Sequence, residues 1–87
     1  MTAKRIVREA KNQPCADCGI QYPYYVMDLD HRPGSGKLAN MTRLVNRGRS
    51  KEVLEAEIAK CDVVCANCHR MRTYQRKQNY IDKRSLL

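Results

Sequence analysis

Two Cys-x-x-Cys pairs, Cys15–Cys18 and Cys65–Cys68, constrain this chain more than any other feature in it. Each pair can present two thiolates to one ion, and two pairs complete the tetrahedron that Zn²⁺ prefers, with Zn–S near 2.3 Å. The chain needs such a clamp. It has 87 residues, with no Phe and no Trp, and ordering a chain costs roughly 1.5 kcal/mol per residue. Scattered Ile, Val, Leu and Met offset little of that, whereas a structural zinc contributes on the order of 10–16 kcal/mol of apparent binding free energy. A disulfide framework would call for an even cysteine count and a secretory leader. There are five cysteines, and the first residues, MTAKRIVREAKN, are charged with no apolar stretch. A cytoplasmic location with reduced thiols is therefore expected, and no run approaches the roughly 20 apolar residues of a membrane span. Cys61, the fifth cysteine, is expected to be a small core residue.

The expected fold class is α+β, a single domain over 1–87. It divides into a basic N-terminal helix within 1–14, a zinc-bound core over 15–79 and a frayed tail over 80–87. Thr2 can cap a helix over 2–12 whose stripe is Ile6, Val7 and Ala10, with Lys4, Arg5, Arg8 and Lys11 largely on the other side. Pro14 ends it, and Gly19 suits the positive φ of a cysteine knuckle. Tyr24 to His31 is rich in β-formers and predicts a strand, followed by a loop over 32–37 that Pro33, Gly34 and Gly36 enforce. A short helix over 40–47 stops at Gly48. Ser50 caps a second over 51–60 with Val53, Leu54 and Ile58 buried. Residues 62–64 predict a short strand into the second knuckle, and a basic helix is expected from His69 to about Asn79.

Charge narrows the partner. Seventeen Lys and Arg against nine Asp and Glu give +8, which points to an acidic partner, nucleic acid ahead of a membrane surface. The alternative is that the excess serves only solubility. The basic residues cluster, however: Arg70, Arg72, Arg76 and Lys77 on the last helix, Arg43, Arg47, Arg49 and Lys51 in the middle, and a third group on the first helix.

The two histidines are the remaining signal. His31 closes Asp28-Leu29-Asp30-His31 at a strand end, and His69 directly follows the last zinc cysteine. Cys65-Ala66-Asn67-Cys68-His69 also fits the c-type haem pattern, but that reading requires export and leaves Cys15 and Cys18 without a role. The order CxxC, Asp-His at a strand end, a Gly-containing loop, then CxxCH opening a helix resembles the HNH nucleases, above all the small phage and prophage type. The resemblance covers roughly Cys15 to Thr73. It implies a zinc-stapled ββα-metal core with flanking helices, in which His31 is the general base and Asp30 and His69 hold one catalytic Mg²⁺ or Mn²⁺. The four cysteines hold a structural zinc outside the reaction. The middle Asn of that family has no counterpart in Ile58-Ala59-Lys60-Cys61-Asp62, and Asn67 and Asn40 are both candidates to brace the loop in its place.

The chemistry is consistent with those roles. Imidazole titrates near neutrality and can take a proton from water, while a hard cation polarises a phosphoryl oxygen. Strict strand alternation would send Asp30 and His31 to opposite faces, so a twist into the loop is needed. Asp28 is a candidate partner behind the cation site or else a merely solvated carboxylate, and Thr73, one turn beyond His69, is a candidate for the metal or its water shell. Phosphate contacts by the basic residues position a duplex without reading it. The expected function is a metal-dependent endonuclease or nickase of low sequence specificity acting on double-stranded DNA. The alternative is a non-catalytic zinc-ribbon DNA-binding module, a regulator or a phage packaging accessory, with other proteins as partners.

Overall fold

The computed structural model describes residues 2–85, with side chains through Gln78. It is a small α+β fold built on a two-stranded sheet. Helix α1 spans Ala3–Ala10, and the Thr2 hydroxyl accepts from the Arg5 N–H, so the first cap is the one its sequence predicts. The knuckle at Cys15 follows. The Cys15 N–H donates to Ile20 O and the Gly19 N–H returns to Cys15 O, at 2.9 Å each. Gly19 sits at φ 78°, where a side chain would be strained.

The expected strand over Tyr24–His31 is shorter. Tyr24–Val26 form a 3₁₀ turn, and strand β1 is Met27–His31. Pro23 ends the extended run: its carbonyl accepts from the Val26 N–H. The Tyr24 ring then lies under the Arg8 guanidinium of α1, 4.3 Å from ring centroid to Cζ. Helix α2 (Met41–Asn46) is capped by Asn40, whose side chain accepts from the Arg43 N–H. Helix α3 (Lys51–Ile58) is capped by Ser50 in the same way. Gly48, at φ 65°, closes the turn between them.

Strand β2 is Cys61–Cys65, longer at both ends than the expected 62–64. It pairs antiparallel with β1, from Met27 opposite Cys65 to His31 opposite Cys61. Helix α4 then starts at Ala66, inside the second knuckle and three residues before the expected His69, and runs to Ser85. Residues 80–85 of the expected tail thus continue the helix, while 86 and 87 lie outside the described residues. The first turn of α4 is what fixes the spacing of Cys65 and Cys68.

Two apolar clusters hold these elements. One gathers Ile6, Met41, Leu44 and Leu54 where α1, α2 and α3 meet. The other gathers Met27, Val63 and Val64 around Cys15, Cys65 and Cys68, and Leu29 packs against both. The core is correspondingly small, which leaves the cysteine cluster as the main staple of the sheet and α4. No helix among the described residues is long and apolar enough to cross a membrane.

Candidate functional site

The four cysteines expected to bind zinc come together. Their Sγ atoms all lie within 4.8 Å of one another, and Cys18 Sγ and Cys65 Sγ are 4.0 Å apart. Four sulfurs about 2.3 Å from a shared tetrahedral ion would stand about 3.8 Å apart, so the cluster fits zinc with little adjustment. The backbone is already arranged for thiolates. Cys15 Sγ accepts from the Cys18 N–H at 3.5 Å and the Cys65 N–H at 3.3 Å, and Cys65 Sγ accepts from the Cys68 N–H at 3.5 Å. Burial alone would raise Cys15, yet these N–H donors bring it down to about 6. Burial and proton sharing with the other thiols push Cys68 up to about 12. Only a cation between the sulfurs lets all four ionise together. Cys61 stands apart: burial raises it to about 11, and its thiol donates to Glu57 O.

Asp30, His31 and His69, expected from the sequence to act together, line one cleft of about 450 Å³ with Gly34, Lys37 and Arg76. Alternation along β1 places Asp28 and Asp30 towards α4 and turns His31 towards α3. His69 therefore meets the two aspartates. Its Nδ1 is 3.0 Å from Asp28 Oδ2 and its Nε2 is 3.5 Å from Asp30 Oδ1. Carboxylates thus face both ring nitrogens, with Asp28 the nearer, and a cation shared by Asp30 and His69 would need Nε2 unprotonated. Asp28 is thus the partner of His69 rather than a free surface carboxylate. Thr73 is not aimed at this site; its hydroxyl donates to His69 O on its own helix.

The arginines divide. Arg72, expected on the phosphate track, is mostly buried and held by three carboxylates. Its Nε and Nη2 donate to Asp17 at 2.6 and 2.7 Å, and its Nη1 to Asp30 at 2.9 Å and Asp62 at 3.0 Å. Arg76 donates to both oxygens of Asp30, at 3.0 and 2.9 Å. Asp30 is 5% exposed; burial works against its charge, but the two guanidinium groups outweigh it and hold its carboxyl below the usual range. Both oxygens of the carboxylate expected to bind a cation are thus engaged by arginine, and such an ion would share or displace Arg76.

Arg70 and Lys77 face outwards instead. With Asp28, His69, Thr73 and Tyr74 they line a groove of about 840 Å³ along α4, next to the cleft. Neither has an ion pair among those found in the described residues. His69 borders both cavities. Arg43 on α2 and Arg47 at its end are exposed and border neither.

Compared with protein-family models, curated proteins and solved structures, the chain matches none.

Glu57 is the residue that sequence reasoning passed over. It is 1% exposed and receives three contacts from three segments. His31 Nε2 lies 2.8 Å from its Oε2, the Leu38 N–H donates to the same oxygen at 2.8 Å, and Lys60 Nζ donates to Oε1 at 2.9 Å. Lys60 also donates to Gly36 O, and Arg32 donates to Ala59 O and Cys61 O. The loop after β1 is thereby tied to the end of α3. Asn40 is a helix cap, so neither it nor a second asparagine is needed to explain that bracing. The signal was available: Glu57 interrupts the apolar stripe of α3 one turn after Leu54, where a carboxylate must find partners.

Proposed function

We propose that this protein is a metal-dependent endonuclease or nickase of the HNH type, hydrolysing DNA phosphodiesters with low sequence specificity. The observation that carries the reading is the convergence of Asp30, His31 and His69 on one cleft, from two segments joined only by the fold. Around it, β1 and β2 run antiparallel and α4 follows β2 directly, an arrangement in keeping with a ββα-metal core stapled by zinc on Cys15, Cys18, Cys65 and Cys68.

In this reading Asp30 and His69 would hold one Mg²⁺ or Mn²⁺, which would supply Lewis-acid stabilisation of the phosphoryl and leaving oxygens. The remaining work belongs to the chain. His31 accepts a proton from water as the water oxygen bonds to phosphorus. The P–O3′ bond breaks, and the departing oxygen takes its proton from solvent. Asp28 keeps His69 in its tautomer. Arg76, already at Asp30, is placed to meet the charge that builds on the phosphate. Arg70 and Lys77 hold the flanking backbone in the groove, which positions DNA without reading it.

The grip of Arg72 and Arg76 on Asp30 favours a second reading, a zinc module that binds DNA and does not cut it. Supercoiled plasmid separates the two. Zinc-loaded protein with Mg²⁺ or Mn²⁺ should convert it to nicked or linear forms, and EDTA should stop the conversion. Tight binding without conversion under any divalent cation would leave the binding module as the account.

A further inference from the structure

We propose that Glu57 is the positioning residue for His31, fixing its imidazole as the Nε2–H tautomer so that Nδ1 is left to accept the proton, and anchoring the loop that walls the cleft. The role in cleavage rests on the nuclease reading; the tautomer does not.

The geometry has three parts. First, the contact is short and nearly dry: His31 and Glu57 are 2.8 Å apart with side chains 11% and 2% exposed. Second, Glu57 cannot rotate away, because its two oxygens are held separately by the Lys60 ammonium and the Leu38 N–H. Third, it is a carboxylate there: burial opposes its charge, but Lys60, the Leu38 N–H and His31 hold it down to about 2. An ionised carboxylate only accepts, so the hydrogen between it and His31 sits on Nε2. The other ring nitrogen, Nδ1, then carries the lone pair.

The same anchor sets the loop. Leu38 docks by its N–H on Glu57, and Lys60 joins Glu57 to Gly36 O at 2.9 Å. Gly34, Ser35, Gly36 and Lys37 form one wall of the cleft beside His31. One buried carboxylate therefore aims the ring and places the wall.

His69 supplies an internal contrast. Its nearer carboxylate, Asp28, lies on Nδ1 at 3.0 Å, and a second, Asp30, lies 3.5 Å from Nε2, whereas His31 meets a carboxylate on Nε2 alone among the contacts of the described residues.

The test uses the zinc-loaded full chain with ¹⁵N-labelled histidine and long-range ¹H–¹⁵N spectra at about pH 8.5, where an ordinary imidazole is neutral. His31 should show a protonated Nε2 and a bare Nδ1. Glu57→Gln keeps the volume but can turn its NH₂ towards His31. It should mix or invert the His31 pattern and leave that of His69 unchanged. In the plasmid assay it should lower kcat by about 10²-fold or more, with KM within about twofold, as when an oriented base loses its tautomer. A proton on Nδ1 of His31 in the parent overturns the proposal even if Glu57→Gln does not fold. So does a Glu57→Gln protein with the parent's His31 spectrum and kcat. A parent with the expected spectrum that never cuts DNA would refute the nuclease reading and leave Glu57's hold on His31 standing.

Discussion

Replacing Arg72 by Met tests whether this arginine is a phosphate contact or a part of the fold. The substitution keeps the apolar stem and removes the guanidinium. In the structure that group is 19% exposed at the side chain and ties Asp17 of the first knuckle to Asp30 of β1 and Asp62 of β2. Asp17 and Asp62 are open enough to rehydrate and add little. Asp30 is different, because it is buried. Removing one partner of a buried pair costs about 3–5 kcal/mol, but Arg76 would still hold both Asp30 oxygens. A net loss of about 2–3 kcal/mol is therefore expected, equivalent to roughly 10–20 °C in Tm for a chain of this size. Arg70→Met, on the same helix but with no ion pair among the described residues, should stay within about 0.5 kcal/mol. Urea titrations at fixed free zinc, read for midpoint and slope, measure both. DNA binding gives the complementary readout. Arg70→Met should shallow the log–log salt slope by about 0.9, and Arg72→Met should leave it near the parent's. Arg72→Met as stable as Arg70→Met, with a shallower salt slope, would refute the structural assignment and return Arg72 to the DNA track.

Metal analysis of the purified protein should find about one zinc per chain, and Cys15→Ser or Cys68→Ser should leave it largely unfolded by circular dichroism; a well-folded, zinc-free parent would contradict this. Lys77→Met should shallow the salt slope as Arg70→Met does, whereas Arg47→Met, which borders neither cavity, should change it less. His69→Ala and Asp30→Ala should lose cleavage and regain part of it at raised Mn²⁺ if both alter the proposed cation site; loss that no cation relieves would place them elsewhere in the mechanism. Glu57 has its pKa depressed by folding, from an ordinary 4.5 to about 2, so its contribution to stability is complete above pH 4.5 and fades as pH falls towards 2. The stability gap between parent and Glu57→Gln should accordingly not shrink between pH 8 and 6, and a gap that closes in that range would mean Glu57 is not ionised in the fold.

Local chemistry was legible in the sequence wherever one segment decides the outcome. Thr2 and Ser50 cap the helices they were expected to cap, Gly19 and Gly48 take the left-handed turns, and the cysteine spacing brings four sulfurs together. Element ends were less legible. Tyr24–Val26 have strand composition, but Pro23 and the Arg8–Tyr24 contact bend them into a turn. Cys61 and Cys65 join β2 because β1 offers five partners, and nothing in Asp62-Val63-Val64 alone reveals that. Long-range pairing was invisible. Arg72 looked like one more basic residue until Asp17, Asp30 and Asp62 converged on it. Glu57 was passed over, since its break in the apolar stripe of α3 does not by itself say that His31, Leu38 and Lys60 close around it. Asp30 and His31 were expected to need a twist to share a site; the cleft instead reaches both sides of β1, with Asp30 facing α4 and His31 facing α3.

The central claim is that His31 takes the proton from the attacking water. Single-turnover cleavage of plasmid by zinc-loaded His31→Ala, beside the parent and with binding measured in parallel, tests it most directly. The account predicts unchanged zinc content and DNA affinity, a rate reduced about 10²–10⁴-fold, and no rescue by raised Mg²⁺ or Mn²⁺. A His31→Ala protein that cuts as fast as its parent would contradict it.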